Sequence, residues 1–581
     1  MNRRSFLTFG GANSRKPPTR KSRTQRQAQR VVTLNAQQQA SRFLAQATLG
    51  GTRTQIDEVA SIGFGAWIDQ QFATPQSQIL QYMRDAIEPV YQLEDQPLLG
   101  PPPFRWAWWQ AVMMGQDQLR QRVAMALSEI MVISTKTDFL EDLSIGVAHY
   151  YDMLLKHAFG NFRDLLFDVT MHPTMGHYLS HAGNRKSDPA TNRFPDENYA
   201  REVMQLFTIG LFELNLDGSR KLDSNGDPIP TYTNRDITEF AKIFTGMTYG
   251  VIPAWLVEEG IDPTSEEAFI YAEPTWENVM VPLKMWEVFH EPGQKRLLNG
   301  YVVPSGQTGM QDVNAAVDHL FNHANVGPFI GRLLIQRLVK SHPSSQYIAR
   351  VASAFNDNGS GVRGDMQAVI KTILLDDEAR NLAFLNDPTH GMLREPFVRY
   401  THLCRAFGAH NENGENLFYN YGEYAEGELG QYPFASPSVF NFFSPDFRPI
   451  GALEDNGIVA PEFQIMTSVS TIKWINFFNE IIFENVAMEV PKGSEEPEVE
   501  RLPVVSDVRL DFAPYAAFEG DIGRLLDELD LLLTYGSLSA ETRNILTTTL
   551  NTLWSNDDDW TEVVKLATVL MLVSPDYGVF R

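Results

Sequence analysis

The sequence predicts a mainly α-helical fold: a multi-helix, bundle-like globular body with one small β-hairpin and long irregular aromatic loops. Apolar residues recur three and four apart along most of the chain. Ser, Thr, Asp or Asn opens many of these runs and Gly or Pro closes them, as helix caps and stops do. Asp217-Gly218 and Asn225-Gly226 between short flanks favour a hairpin near residues 217 to 232. The strongest helical run is DENYAREVMQLFTIG, Asp196 to Gly210. Pro195 precedes it and Asp196 is placed to cap it. Tyr199, Val203, Leu206 and Gly210 fall on one face. Glu197 with Arg201, and Asn198 with Glu202, stand four apart and are spaced to pair.

The remaining elements follow in order. Phe43, Leu44 and Ala47 mark a first helix that Gly50-Gly51 ends. Thr52 and Gln55 form a capping box for a second, and Trp67, Ile68, Gln71 and Phe72 give a third, stopped by Pro75. Gln96 to Pro103 reads as a Pro-rich linker, and Trp106, Trp108 and Trp109 beyond it as core anchors. In the helix Leu119 to Ile133, Arg122 and Glu129 share a flank; the pattern fits a buried ion pair or two solvated charges equally. Tyr150 to Thr170 leads into TMHPTMGHYLSHAGN, where His177 and His181 are four apart but lack the intervening acid of a HExxH zinc site. Asp217, Asp223 and Asp227 do not have EF-hand spacing and read as turn residues. Asp236 to Met247 is again helical, with Thr233 and Asp236 at its start.

Residues 248 to 305 are the least helical part and hold a polar loop with His290, Glu291 and Lys295. Val313 to Ala379 returns to helix, with Arg332, Arg337 and Lys340 assigned to a polar side. Gly359, Gly361 and Gly364 spell GxGxxG, but no strand precedes them, so they read as a turn. Leu393 to Phe407 is helical behind Arg394-Glu395-Pro396, with Cys404 as an inert core residue. Gly422 to Phe447 is too apolar for a free loop and is expected to cover the core or line a cleft. Helices over Glu462 to Asn485 and Asp521 to Leu533 flank an acidic loop, Pro491 to Pro503.

Composition narrows the function. The 581 residues are 43% hydrophobic and 21% charged, with a net charge of −24. All eleven Lys and Arg up to Ile56 precede the first acid, so the remainder carries about −35 by difference. Such a body repels nucleic-acid phosphates. No apolar run of about 20 residues exists to span a membrane. Residues 1–33 read as a disordered basic tail and 34–581 as the helical region, divided roughly into 34–250, an irregular insert 251–310, and 311–581. Arg3-Arg4-Ser5-Phe6-Leu7 resembles a twin-arginine export motif but lacks the apolar segment that should follow. Export to the periplasm or cell surface is the expectation, with a cytoplasmic protein if that signal is degenerate.

Several phrases together carry a family resemblance. ENYAREVMQLFTIG, RQRVAMALSEIMVIS, HPTMGHYL, FHEPGQK, NHANVGPFIGRLLIQRLV, GVRGDMQAVIKTILLDDEAR, REPFVR, SPSVFNFFSPDFRP and SPDYGVFR lie between about residue 36 and the end. They resemble the bacterial domain-of-unknown-function 1800 family (DUF1800), whose activity is not established. The resemblance implies an extracytoplasmic setting and a partner of the domain-of-unknown-function 1501 family (DUF1501), beside which such proteins are commonly encoded.

Four polar clusters are candidates for chemistry: His172, the start of the 196–210 helix, His290 to Lys295, and Arg394-Glu395. If Glu197, Arg201 and Glu202 form a buried centre joined by His172 or His290, the inventory is that of an acid–base or hydrolase-like enzyme. The alternative is a non-catalytic binding or scaffold protein in which these residues form structural ion networks. No GxSxG elbow, Walker loop or paired ExxH motif is present, and cofactor and metal stay open.

Overall fold

The structure is a computed structural model and describes residues 33–87, 102–137, 140, 143–251, 254–262, 264–272, 274–275, 278–411, 426–484, 508–554 and 559–581. The basic tail up to residue 32, nearly all of the linker, the first part of the aromatic loop and the acidic loop lie outside the described residues.

The described chain is mainly helical, and its local signals act as the sequence predicts. Asn35 and Gln38 make a reciprocal capping box that opens the helix Ala36–Ala47. Thr52 and Gln55 do the same for Arg53–Ile62, which Gly63 ends at φ 83°. The named strands are two residues long and pair antiparallel. One pair, Met392–Leu393 with Val579–Phe580, ties the end of the chain into the body. The predicted hairpin appears as bridges rather than a continuous ladder: Phe212 faces Pro230, Leu214 faces Arg220, and Leu222 faces Pro228. Asp217 and Asp223 accept hydrogen bonds from backbone amides within these turns, as turn-capping residues do.

One apolar core runs from Ala40 to Tyr577. Trp108 and Trp109 are fully buried in it and meet edge to face at 5.7 Å. A small satellite cluster of Ala268, Phe269, Trp286 and Phe289 sits in the irregular 251–310 region. Buried arginines hold carbonyls of last helical turns and of adjoining segments inside the core. Arg405 donates to the carbonyls of Gly50, Val112 and Met113, and Arg42 to those of Ala379 and Arg581. End carbonyls have no partner within their own helix, so a buried end needs such a donor. Cys404 is buried as expected, and burial pushes its thiol upward.

Two expectations are corrected. The central helix spans Asn198–Gln205 only; Asp196 instead accepts the Asn198 amide at 2.8 Å. Its C-terminal half opens into a wide turn in which Ile209 and Gly210 both donate to Met204 O, and Gly210 takes φ 70° against the Phe329 ring. Arg337 and Lys340 are buried rather than on a polar side, because neighbouring segments bring acids to meet them. The glycine triplet is a turn, as predicted: Asp357 accepts from the amides of Gly359 and Gly361.

The first helix ends at Ala47 with Thr48 extended, and Gly50 just beyond it takes φ 134°, where an added Cβ would lie 2.5 Å from Cα of His402. Gly50→Ala is therefore expected to destabilise by about 3 kcal/mol or more, since both backbone strain and overpacking act. A Cβ added at Gly65 would meet no atom within 4 Å, so Gly65→Ala should be neutral or stabilising by up to about 1 kcal/mol. Urea melts of the two variants test this contrast.

Candidate functional site

The polar groups that the fold brings together lie at the end of the helix Gln118–Ser128. Glu129 follows its last turn and is 6% exposed. Arg337, from the helix Val326–Leu338, sets its Nε 3.2 Å from Glu129 Oε2 and donates through Nη2 to the Glu129 carbonyl at 2.9 Å. Gln431 Nε2 lies 3.3 Å from Glu129 Oε1 and also donates to Glu395 Oε2. Arg122 donates to the carbonyl of Arg337, so the flank that Arg122 and Glu129 share is buried, with Arg337 as the cation paired to Glu129.

Gln431 thus brings the carboxyls of Glu129 and Glu395 side by side in this buried centre. Burial first, then repulsion from Glu395, pushes Glu129 well above the usual carboxyl range, and Arg337 and Arg122 only partly offset this. Glu462 stands nearby, accepts from Ser341 Oγ at 2.8 Å, and is pushed up to about 8, chiefly by burial.

Glu129 and Arg337 of this centre line a cleft of 330 Å³. The helix Val326–Leu338 supplies Phe329 and Leu333 to one wall, and the wide turn after Gln205 supplies Leu206 and Ile209 to another. The aromatic loop closes the third side with Val439, Phe440 and Phe443, as a cleft-lining role for that loop predicted. Arg332 holds Asp446 of this loop at 2.5 Å, and Gln336 holds the carbonyl of Pro445. Leu211 and Phe440 stay half exposed at the mouth. Asn441 also lines the cleft; it is buried at φ 63°, and its Nδ2 has no hydrogen-bond partner among the described residues. A non-glycine residue in that region costs about 1 to 3 kcal/mol and marks a functional constraint when it lines a site. Glu129, Arg337 and Asn441 thus put a raised carboxyl, a cation and an unengaged amide donor on the lining of one cleft.

The five residues expected to form the site do not converge. Glu197 and Arg201 pair at 3.5 Å on the surface, each side chain about 40% exposed, where such pairs contribute at most about 1 kcal/mol. Glu202 is buried, with burial raising its carboxyl and Oε2 unpartnered among the described residues; the phenol of Tyr178 on the preceding segment is raised first by burial and then by Glu202. His290 is locked into a buried triad, 3.0 Å from Asp312 Oδ2 and 3.2 Å from Lys295 Nζ, while its Nδ1 donates to Thr245 O at 2.9 Å. His172 pairs with His149 on another cleft. His177 and His181 bond to Tyr249 and to the Thr170 carbonyl in turn, not to a common point. Of the four polar clusters, only Arg394-Glu395 contributes to the centre, through Glu395. The roles of Arg337, Gln431 and Asn441 do not follow from sequence reasoning. The signal for Arg337 lies in LLIQRLV, where an arginine interrupts the apolar face of a helix.

The pH dependence of stability follows from Glu462. Its folded-state pKa of about 8 lies above the unfolded value of about 4.3, so the folded chain holds a proton that the unfolded chain has lost. Stability is expected to fall as pH rises between these values, with Glu129 acting in the same direction. Glu462→Gln should flatten that slope and raise the urea midpoint at pH 8 relative to wild type; an unchanged slope contradicts the assignment.

A family model described as a protein of unknown function (DUF1800) matches residues 42–579. No curated protein and no solved structure matches the chain.

Proposed function

The chain belongs to the DUF1800 family, and from that premise, which assigns no activity, we propose that it is a hydrolase-like acid–base enzyme acting on a substrate with an apolar body. The observation that carries this reading is Glu129 on the lining of the 330 Å³ cleft, its carboxyl pushed well above the usual range by burial. An acid held neutral by burial and a neighbouring carboxylate is poised to donate a proton to a leaving group or a carbonyl oxygen. Glu395, the neighbouring carboxyl, adds repulsion that keeps the proton on Glu129 until a substrate atom takes it. Asn441 Nδ2 is the donor for charge developing on the substrate oxygen, and Arg337 balances the charge left on the pair. The apolar walls select the body of the substrate and exclude water from the acid.

A second reading, a non-catalytic binding protein acting with a DUF1501-like partner, is favoured by the half-exposed Leu211 and Phe440 at the mouth, which also suit a protein-borne apolar side chain. A screen of acyl esters and amides of increasing apolar length separates the two. Under the enzyme reading one series is turned over, Glu129→Gln lowers kcat/KM by about 10²- to 10⁴-fold and Asn441→Ala by about 10- to 10³-fold. Turnover by Glu129→Gln at the wild-type rate, or no turnover of any series, overturns it.

The setting we propose is extracytoplasmic, supported by Arg3-Arg4 and the twin-arginine-like residues after them. Residues 1–40 fused to a reporter active only after twin-arginine transport should give signal; a reporter retained in the cytoplasm rejects export by this route.

A further inference from the structure

A cleft of 610 Å³, sharing no lining residue with the carboxyl site, opens between the helices Ile79–Ile87, Ser144–His157 and Phe162–Met171. It contains a histidine pair whose proton positions follow from its inner end. The Thr174 amide donates to His172 Nδ1 at 3.2 Å, so the proton of the neutral ring sits on Nε2. That Nε2 lies 2.9 Å from His149 Nδ1, which must therefore accept. The proton of His149 is then on its own Nε2. No described residue takes a hydrogen bond from that atom, and His149 is half-buried on the cleft lining. Burial keeps both rings neutral, by lowering each below the ordinary histidine value.

Arg84 enters the same cleft and is near enough to lower His149 further. Among the described residues its guanidinium meets only the Met280 sulfur, at 3.1 Å, a weak acceptor for a charged donor. The acids of the cleft are engaged elsewhere. Asp152 accepts from the amides of Ile79 and Leu80 at 2.8 and 3.0 Å, one on each oxygen. Asp168 takes His157 Nε2 at 2.6 Å and Lys156 Nζ at 2.8 Å. Two donors are thus left facing the cleft without an anionic partner among the described residues.

We propose that this cleft is a second ligand site, and that it binds an oxyanion, the phosphate or carboxylate head of a small polar molecule, between Arg84 and His149. The guanidinium supplies a charge-assisted fork and the imidazole a neutral donor, and both belong to the cleft lining. The volume exceeds that of the head group, so a body lies along Gln76 and Gln78. The net negative charge of the protein works against long-range capture of an anion, but it is screened beyond about 8 to 10 Å in physiological salt, and the local donors decide.

Titration calorimetry of the full chain with inorganic phosphate and, separately, with acetate at constant ionic strength tests this. Saturable binding of either ion is expected, with the tighter one naming the head group. Arg84→Met and His149→Phe should each weaken it about tenfold or more, and Glu129→Gln, in the other cleft, should leave it unchanged. In the unsubstituted protein the ¹⁵N signal of His149 Nε2 should move on anion addition, which guards against a misfolded His149 variant. Absence of saturation up to about 50 mM, far above the roughly millimolar Kd expected of two such contacts, overturns the proposal. So does undiminished binding by Arg84→Met, which would mean an adventitious ion only, or a histidine spectrum that saturating anion leaves unmoved.

Discussion

The requirement that buried charges be matched shapes this molecule more than any single apolar contact. Glu129, Arg337, Glu395 and Gln431 come from four separate parts of the chain and meet at one point. Taking an acid and a guanidinium out of water is unfavourable unless each finds its partner, and breaking such a buried pair from one side costs about 3 to 5 kcal/mol. The same demand positions Arg405 on the carbonyls of Gly50, Val112 and Met113, and Lys340 against Glu378 at 3.2 Å. An apolar core alone tolerates many packings. A core crossed by arginines that each need a specific carbonyl or carboxylate tolerates far fewer.

The aromatic loop shows how that constraint leads to a cleft. Thr135 donates through both its amide and its hydroxyl to Phe434 O, and Arg332 and Gln336 hold the segment around Asp446. Fixed at both ends, the stretch between adopts left-handed backbone at Phe434 and Asn441. The cost of those two residues is met by the anchors, and the result is an apolar wall with an unengaged amide donor on the same cleft as the acid. Chemistry and strain therefore coincide in one place, while the surface pair Glu197–Arg201 stands outside it.

Particular residues show what is legible in the sequence. Capping boxes at Asn35 and Thr52, the burial of the tryptophans, the turn formed by Gly359 to Gly364 and the cleft-lining loop all follow from patterns within a few residues of each other. The buried centre does not. Arg122 and Glu129 stand out as a flank with two possible fates, but the deciding partner, Arg337, lies about two hundred residues away. His290 and Lys295 read together on a loop; their acid, Asp312, belongs to the following helix and carries no local signal of that role. Glu197, Arg201 and Glu202 mislead because the short helix Asn198–Gln205 buries one side only, leaving Glu197 and Arg201 toward water while Glu202, about 100° around, turns inward.

By itself the sequence determined the helical class, the membership of a family, the positions of most helix ends and the residues that must be buried for their apolar bulk. Those properties depend on local backbone preference and on solvent exclusion, which act over one or two turns. Only the tertiary structure decided which charged residues are buried, who partners them, and that Glu129 lines a cleft shared with Asn441. Burial of a charge depends on every segment packed around it, and its proton on the partners those segments bring.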